Sequence, residues 1–202
     1  MRTAQAESVT KQKLLAAAQE LMLTKGYTAT SVDEVCTVAG LTKGSFFHYF
    51  ESKEDLGMAL AERFHAAMRE SFQSASFLQT SDPLDRVLGY VDFLIAKSHN
   101  PRLARGCLLG TFVQELSETH PKIRDACAAC FDEQADWLTA ELEEAKARHT
   151  PHATWSSRSV AEHLIAVAQG ALILAKAQCD AKVFEESLEH YKEYLRSICE
   201  RR

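Results

Sequence analysis

Six cysteines and eight histidines are the residues of this 202-residue chain that could act as nucleophiles, redox centres or metal ligands. Cys107 has the most suggestive setting, because it follows Gly106 at the expected start of a helix, with Arg102 and Arg105 just ahead of it. Helix-end amides and nearby cations both stabilise a thiolate, so this pattern suits a reactive thiol; it also suits a small buried residue at a helix terminus. Cys127 and Cys130 form C-x2-C, yet they share a helical pattern with Ile123, Phe131 and Leu138 and no strand precedes them, which does not fit a thioredoxin-like redox site. With His149 and His152 they would spell C-x2-C-x18-H-x2-H, whose spacings lie outside those of zinc modules. His48, His65, His99, His120 and His163 are scattered singly. No nucleotide loop, metal cluster or Ser-His-Asp or Cys-His arrangement is recognisable, so no enzyme activity, no cofactor and no metal is expected.

Residues 31 to 56 carry a different kind of chemistry. Ser31 and Glu34 form an S-x-x-E capping box, after which Val32, Val35, Cys36 and Ala39 fall on one helical face and Gly40 stops the helix. Thr42 can cap a second helix in which Phe46, Tyr49 and Phe50 point inward and Lys43, Gly44, Ser45 and His48 are left outside. Ser52 caps a third segment that opens with Lys53, and Leu14, Leu15, Ala18, Leu21 and Met22 form the stripe of a helix upstream that ends at Lys25 and Gly26. A short second helix, buried on one side and polar on the other, is what a helix-turn-helix places in the major groove of double-stranded DNA.

The charge distribution agrees with that reading. Net charge is -5, but residues 1–53 hold six Lys or Arg against five Asp or Glu, whereas the remainder holds 17 against 23. The amino-terminal part alone is not acidic, and its surplus is small enough that tight binding requires a dimer with good base contacts. At 46% hydrophobic residues the chain can bury one small and one larger helical unit. No apolar run of about 18 residues and no charged leader is evident, so a cytoplasmic protein with reduced thiols and no membrane association is expected.

Beyond Leu56 the helical patterns run near 53–75, 84–98, 107–117, 121–148, 157–179 and 182–199, with breaks at Ser81-Asp82-Pro83, Asn100-Pro101, His120-Pro121 and the Pro151 segment. The expected architecture is all-α, about nine helices: a three-helix helix-turn-helix domain over 1–53 and a larger helical domain over 54–202. Residues 164–175 are apolar nearly all round, and Phe184, Leu188, Tyr191, Leu195 and Ile198 follow spacings of four and three. Leu164, Leu172, Phe184, Leu188, Tyr191 and Leu195 are therefore candidates for a homodimer interface, or for ordinary core. Phe93, Phe112, Trp137 and Trp155 are candidates to line a pocket for a noncovalent apolar ligand.

The segment A-G-L-T-K-G-S-F-F-H-Y-F-x-S-K-E-D-L, residues 39–56, resembles the signature of the TetR family of one-component transcriptional repressors. That resemblance implies a homodimer that binds a pseudo-palindromic operator and is released by a small-molecule inducer, with Thr42, Lys43, Gly44, Ser45 and His48 facing the operator and Lys53 reaching a phosphate from the start of the fourth helix. It also implies that residues 54–202 are the ligand-binding and dimerisation domain, whose last two helices form a four-helix bundle across a two-fold axis. The chain departs from the family at Phe47, where tyrosine is usual; a phenyl ring can touch a thymine methyl but donates nothing to phosphate. The segments R-G-C-L-L-G-T-F-V-Q-E-L and G-A-L-I-L-A-K-A resemble a subgroup that senses electrophiles such as N-ethylmaleimide, hypochlorite, quinones and acrylate. By that likeness Cys107 is the sensor and Lys176 the residue that can bond to it on oxidation. The alternatives are a regulator of a noncovalent apolar ligand and a helical protein-interaction module without a specific operator.

Overall fold

The computed structural model describes residues 9–99 and 106–199. Asn100-Pro101, Arg102 and Arg105 lie outside them. Among the described residues the chain forms nine α-helices and a 3-10 turn, with no strand. The helices are α1 (Val9–Lys25), α2 (Val32–Ala39), α3 (Lys43–Tyr49), α4 (Lys53–Gln73), α5 (Pro83–Ser98), α6 (Leu108–Leu116), α7 (Pro121–His149), α8 (Ser157–Gln178) and α9 (Lys182–Cys199), and the 3-10 turn is Ser76–Gln79.

Local chemistry accounts for most of the boundaries. Asp82 caps α5 by accepting from the Leu84 amide at 2.8 Å, with Pro83 in the first turn where its missing N–H costs nothing. Ser52 Oγ accepts from the Asp55 amide at 3.1 Å, and Ser156 caps α8 through the Ser159 amide. Helix α8 ends at Cys179, a non-glycine residue held at φ 53° in the left-handed region where glycine is normally found.

Packing divides the chain into two compact units. The first joins residues up to 68 with Leu108–Ala128, and the second joins 69–107 with residues from 129 onward. This differs from the functional line expected at 53/54, because the first half of α4, all of α6 and the start of α7 contribute Leu56, Leu60, Leu108, Phe112, Leu116 and Ile123 to buried positions of the first unit. In the same unit α1 buries Leu14, Leu15, Ala18 and Met22, α2 buries Val35 and Cys36, and Phe46 and Phe50 come from α3 and its end.

The second unit is built on α5, the later part of α7, α8 and α9. Its core holds Val87, Val91, Leu138, Leu142, Leu164, Leu188 and Leu195, with an aromatic group in which Phe72, Phe77, Tyr90, Phe93 and Trp137 meet mostly edge to face. Leu164, Phe184, Leu188, Tyr191 and Leu195 are buried within the protomer and Leu172 partly so, because α8 and α9 pack on each other and Tyr191 Oη donates to the Val160 carbonyl at 2.8 Å. The exposed large apolar side chains of these helices are instead Ile173, Leu174 and Tyr194. Helix α8 is also long and apolar enough to cross a membrane by length and composition, since Arg158, Glu162 and Lys176 sit near its two ends; only 28% of its most apolar stretch is buried.

Both tryptophans, Trp137 and Trp155, lie in the second unit, so their fluorescence follows its unfolding. A Cβ at Gly89 would lie 2.4 Å from Phe77 Cβ, so Gly89→Ala is expected to destabilise this unit by about 1–3 kcal/mol. Cys179→Gly is expected to stabilise it by about 1 kcal/mol by relieving the left-handed cap. Urea unfolding followed by tryptophan emission checks both, and a Gly89→Ala midpoint equal to wild type would contradict the packing described.

Candidate nucleic-acid interface and thiol site

Helices α2 and α3 are held in place from their ends. Ser31 Oγ accepts from the Glu34 amide at 3.2 Å while Glu34 Oε2 accepts from the Ser31 amide at 2.9 Å, completing the capping box. Gly40 takes φ 65°, which lets its own N–H and that of Leu41 close the end of α2 on Thr37 O and Cys36 O. Thr42 Oγ1 then accepts from the Ser45 amide at 3.2 Å to start α3. With Phe46 and Phe50 buried, α3 turns Thr42, Lys43, Gly44, Phe47 and His48 to solvent, and Ser45 is half-buried with its hydroxyl 3.1 Å from that of Thr42. Tyr49 is half-buried against the His48 ring rather than in the core as expected, because the apolar stripe of so short a helix is filled by the two phenylalanines. Phe47 is 58% exposed, an apolar ring on an otherwise polar face.

The charged residues on this face are paired. Lys43 Nζ lies 2.7 Å from Asp33 of α2, which raises its pKa, and Lys25 bonds Glu34. Lys25 and the Ser31 groups together pull the Glu34 carboxyl from 4.5 down to about 2.

Lys53, expected to reach a phosphate, has backbone carbonyls as partners here. Its ammonium donates to the carbonyls of Tyr27 at 3.2 Å, Thr28 at 3.5 Å and Thr30 at 3.1 Å, and lies 4.4 Å from the centre of the Tyr27 ring. Desolvation lowers its pKa, with Glu115 acting in the opposite sense. A phosphate reached by Lys53 would have to compete with these carbonyls, so in this structure it organises the α1–α2 turn. Glu115 of α6 grips the same turn, accepting from the Tyr27 and Thr28 amides at 2.7 Å each. Neither Glu115 nor Asp33 is marked by a motif: Glu115 is 88 residues from Tyr27, and Asp33 meets Lys43 only because α2 and α3 pack together.

Cys107 precedes α6 directly, after Gly106 at φ 112°, and is half-buried. Tyr90 and Cys130 are its electrostatic neighbours: burial and then Cys107 raise the pKa of the Tyr90 hydroxyl, which accepts from Gln134 Nε2 at 2.8 Å. Burial likewise pushes the Cys130 thiol up, with Glu133 and Cys107 adding to the shift and Arg69 opposing it. Lys176 is exposed in the last turn of α8. The C-x2-C pair lies within α7, Cys127 buried in the first unit and Cys130 half-buried in the second; His149 bonds Asp82 at 3.0 Å. Among the described residues no His, Cys, Asp and Glu group is placed to hold a metal ion. Of the four aromatic residues expected at a pocket, Phe93, Trp137 and Trp155 pack against the core of the second unit, Trp155 under Lys146, whereas Phe112 packs on Tyr27 in the first unit.

Residues 14–60 match the family model "Bacterial regulatory proteins, tetR family", and residues 83–191 match "Tetracyclin repressor-like, C-terminal domain". The chain belongs to the TetR family. Among its relatives, the HTH-type transcriptional repressor NemR of Escherichia coli is 28% identical over 189 residues, covering 94% of this chain and 95% of NemR. The crystal structure of the reduced form of E. coli NemR aligns with TM-score 0.75 over 91% of this chain and 96% of that one. Transcriptional regulator AcuR of Cereibacter sphaeroides is 28% identical over 85% of this chain and 78% of AcuR. The regulatory protein TetR from Rhodobacter sphaeroides aligns with TM-score 0.81 at 26% identity, over 93% of this chain and 99% of that one. As a TetR-family transcriptional regulator, the chain carries its helix-turn-helix on α2 and α3.

Glu34 makes the reading head of this regulator acid-sensitive. Its folded pKa of about 2 lies below the ordinary 4.5, so its stabilisation of α2 is fully present above about pH 4.5 and is lost as the pH falls towards 2. Amide chemical shifts of Ser31 and Glu34 followed from pH 6 to pH 2 should report this midpoint, and Glu34→Gln should remove the transition from both.

Proposed function

We propose that this TetR-family regulator acts in the cytoplasm as a homodimeric repressor, reading a pseudo-palindromic operator through α2 and α3 and leaving it when an electrophile modifies Cys107. The observation that carries the reading is the face of α3: Thr42, Lys43, Gly44, Phe47 and His48 are exposed over buried Phe46 and Phe50. Thr42, Gly44 and Ser45 keep the backbone accessible to phosphate oxygens, Lys43 and His48 supply hydrogen bonds, and Phe47 offers an apolar edge to a thymine methyl.

Dimerisation is supported by the apolar side chains that α8 and α9 leave in solvent, Ile173, Leu174 and Tyr194, in place of the residues that the protomer buries. Two recognition helices about 34–36 Å apart would meet successive major grooves, and a tilt of α4 on induction would change that spacing. A coupling of about 1–3 kcal/mol lowers operator affinity roughly 5-fold to 150-fold.

For the sensing step, the Cys107 thiolate adds to the carbon–carbon double bond of a maleimide or acrylate-type acceptor. A carbon–sulfur bond forms, the π bond breaks, and the electron pair at the adjacent carbon takes a proton from water. Lys176 is the second residue of this reading, to be tested by Lys176→Ala under hypochlorite.

The experiment is operator binding, by fluorescence anisotropy, to DNA flanking the protein's own gene. Affinity lost on N-ethylmaleimide treatment in wild type but kept in Cys107→Ser supports the thiol switch. Loss in both, or in neither, points to another site or to a noncovalent ligand, and binding without sequence preference would sink the operator reading. Within the same assay Lys43→Ala should weaken binding about 10-fold and reduce the salt slope by about one per protomer. Asp33→Asn should strengthen binding a few-fold, because Lys43 then has no carboxylate to leave; an unchanged affinity for both variants would remove Lys43 from the interface.

A further inference from the structure

The α1–α2 turn is gripped from two sides by groups that no local sequence logic supplies. Residues 26–30 make one short-range network, in which Gly26 N donates to Met22 O, Thr30 N to Tyr27 O, and Thr30 Oγ1 to Gly26 O. The amides of Tyr27 and Thr28 both point at one carboxylate, Glu115 of α6. The approach depends on Gly26: a Cβ there would lie 2.9 Å from Glu115 Oε2, and its φ of 89° disfavours any other residue. The carbonyls of the same turn, those of Tyr27, Thr28 and Thr30, accept from Lys53, the first residue of α4.

The Tyr27 side chain closes the arrangement. It is almost wholly buried, edge-on to Phe112 of α6 and to His120 before α7, with Gly57 of α4 so close that a Cβ there would lie 3.1 Å from the ring. One residue after Thr30 comes Ser31, the cap of α2. Thus α6 is hydrogen-bonded to the segment that leads directly into the helix-turn-helix, through a contact separate from α4.

We infer that Glu115 is the positioning residue through which α6 controls the reading head: its carboxylate latches the α1–α2 turn, and displacement of the first turn of α6 releases it. The lever is short. Helix α6 begins one residue after Cys107, and Leu108 and Glu115 are seven residues apart, about 10 Å along a rigid helix. A shift or rotation at its start is carried to the carboxylate, and two bonds of 2.7 Å to backbone amides tolerate little of it. This route rests on the operator-reading role of α2 and α3, and it does not depend on the chemistry of the inducer. It differs from a tilt of α4 because it predicts a residue, Glu115, whose removal uncouples α6 from DNA binding while α4 stays intact.

The test is a double-mutant cycle on the full-length protein, pairing Glu115→Gln, which keeps the shape and can accept only one of the two amides, with Cys107→Phe, which forces bulk in front of α6. Cys107→Leu serves as the milder perturbation should Cys107→Phe not fold. The first readout is amide exchange of Tyr27 and Thr28 in the free protein, with Leu14 and Leu15 as internal references. We expect Glu115→Gln to speed exchange at both amides about 10-fold with the references unchanged, and Cys107→Phe to speed it in wild type but add little in Glu115→Gln. The second readout is operator affinity: Cys107→Phe should weaken it at least about 5-fold in the wild-type background and less than about 2-fold in Glu115→Gln. A merely structural Glu115 would lower stability and leave the effect of Cys107→Phe the same in both backgrounds, which overturns the latch. Tyr27 and Thr28 exchange that ignores Cys107→Phe in wild type overturns it as well. Absence of operator binding with the exchange pattern intact would instead count against the DNA-reading role and leave the latch standing.

Discussion

Peptide groups in a turn have no helix to satisfy them, and in this protein the two amides at Tyr27 and Thr28 are satisfied by one carboxylate from a distant helix. Much of the first unit is organised around that constraint. Gly26 has no side chain because the carboxylate occupies the space, Gly57 has none because Tyr27 lies over it, and Lys53 turns inward because three carbonyls face it. Glu115 thus accepts from the amides of Tyr27 and Thr28 while Lys53 donates to the carbonyls of Tyr27, Thr28 and Thr30, each charge lying within the field of the other. Burial raises the Glu115 pKa, and the Thr28 and Tyr27 donors with Lys53 more than reverse it, which keeps the group an acceptor at neutral pH.

The recognition helix depends on this frame and on very little of its own. At seven residues α3 is too short to be stable alone, and its one wholly buried residue is Phe46. It persists because Thr42 caps one end, Phe46 and Phe50 anchor the other side, and α2 before it is capped at both ends. Its cation, Lys43, is held by Asp33 of α2.

The second unit follows different rules. Its helices are fastened by a broad apolar core and by buried-edge ion pairs, Arg86 with Glu141 and Glu144, and Lys192 with Asp92 and Glu189. The aromatic side chains pack against one another, mostly edge to face. The half-buried thiol ahead of α6 acts electrostatically on Tyr90 and Cys130.

Capping boxes, helix stops and the 3.6-residue stripe are local, and for that reason they were legible in the residues themselves: Ser31 with Glu34, Gly40, Thr42, Asp82 with Pro83, and helix ends within a few residues of those found. The outward set on α3 was legible by the same logic, since two buried phenylalanines leave only one face for the rest. What required tertiary structure were the choices between partners that spacing cannot distinguish. An apolar stripe on α8 or α9 packs equally well on a neighbouring helix or on a second copy, and the fold assigned Leu164, Leu188 and Leu195 to the protomer core and left Ile173 and Leu174 in solvent. A lysine at a helix start can meet phosphate or carbonyl, and Lys53 met three carbonyls because the turn that ends α1 folds back over it. Glu115 and Tyr27 are 88 residues apart, and only the packing of α6 on α1 brings them within a hydrogen bond, since long-range pairing is set by how whole faces fit and not by any pattern along the chain.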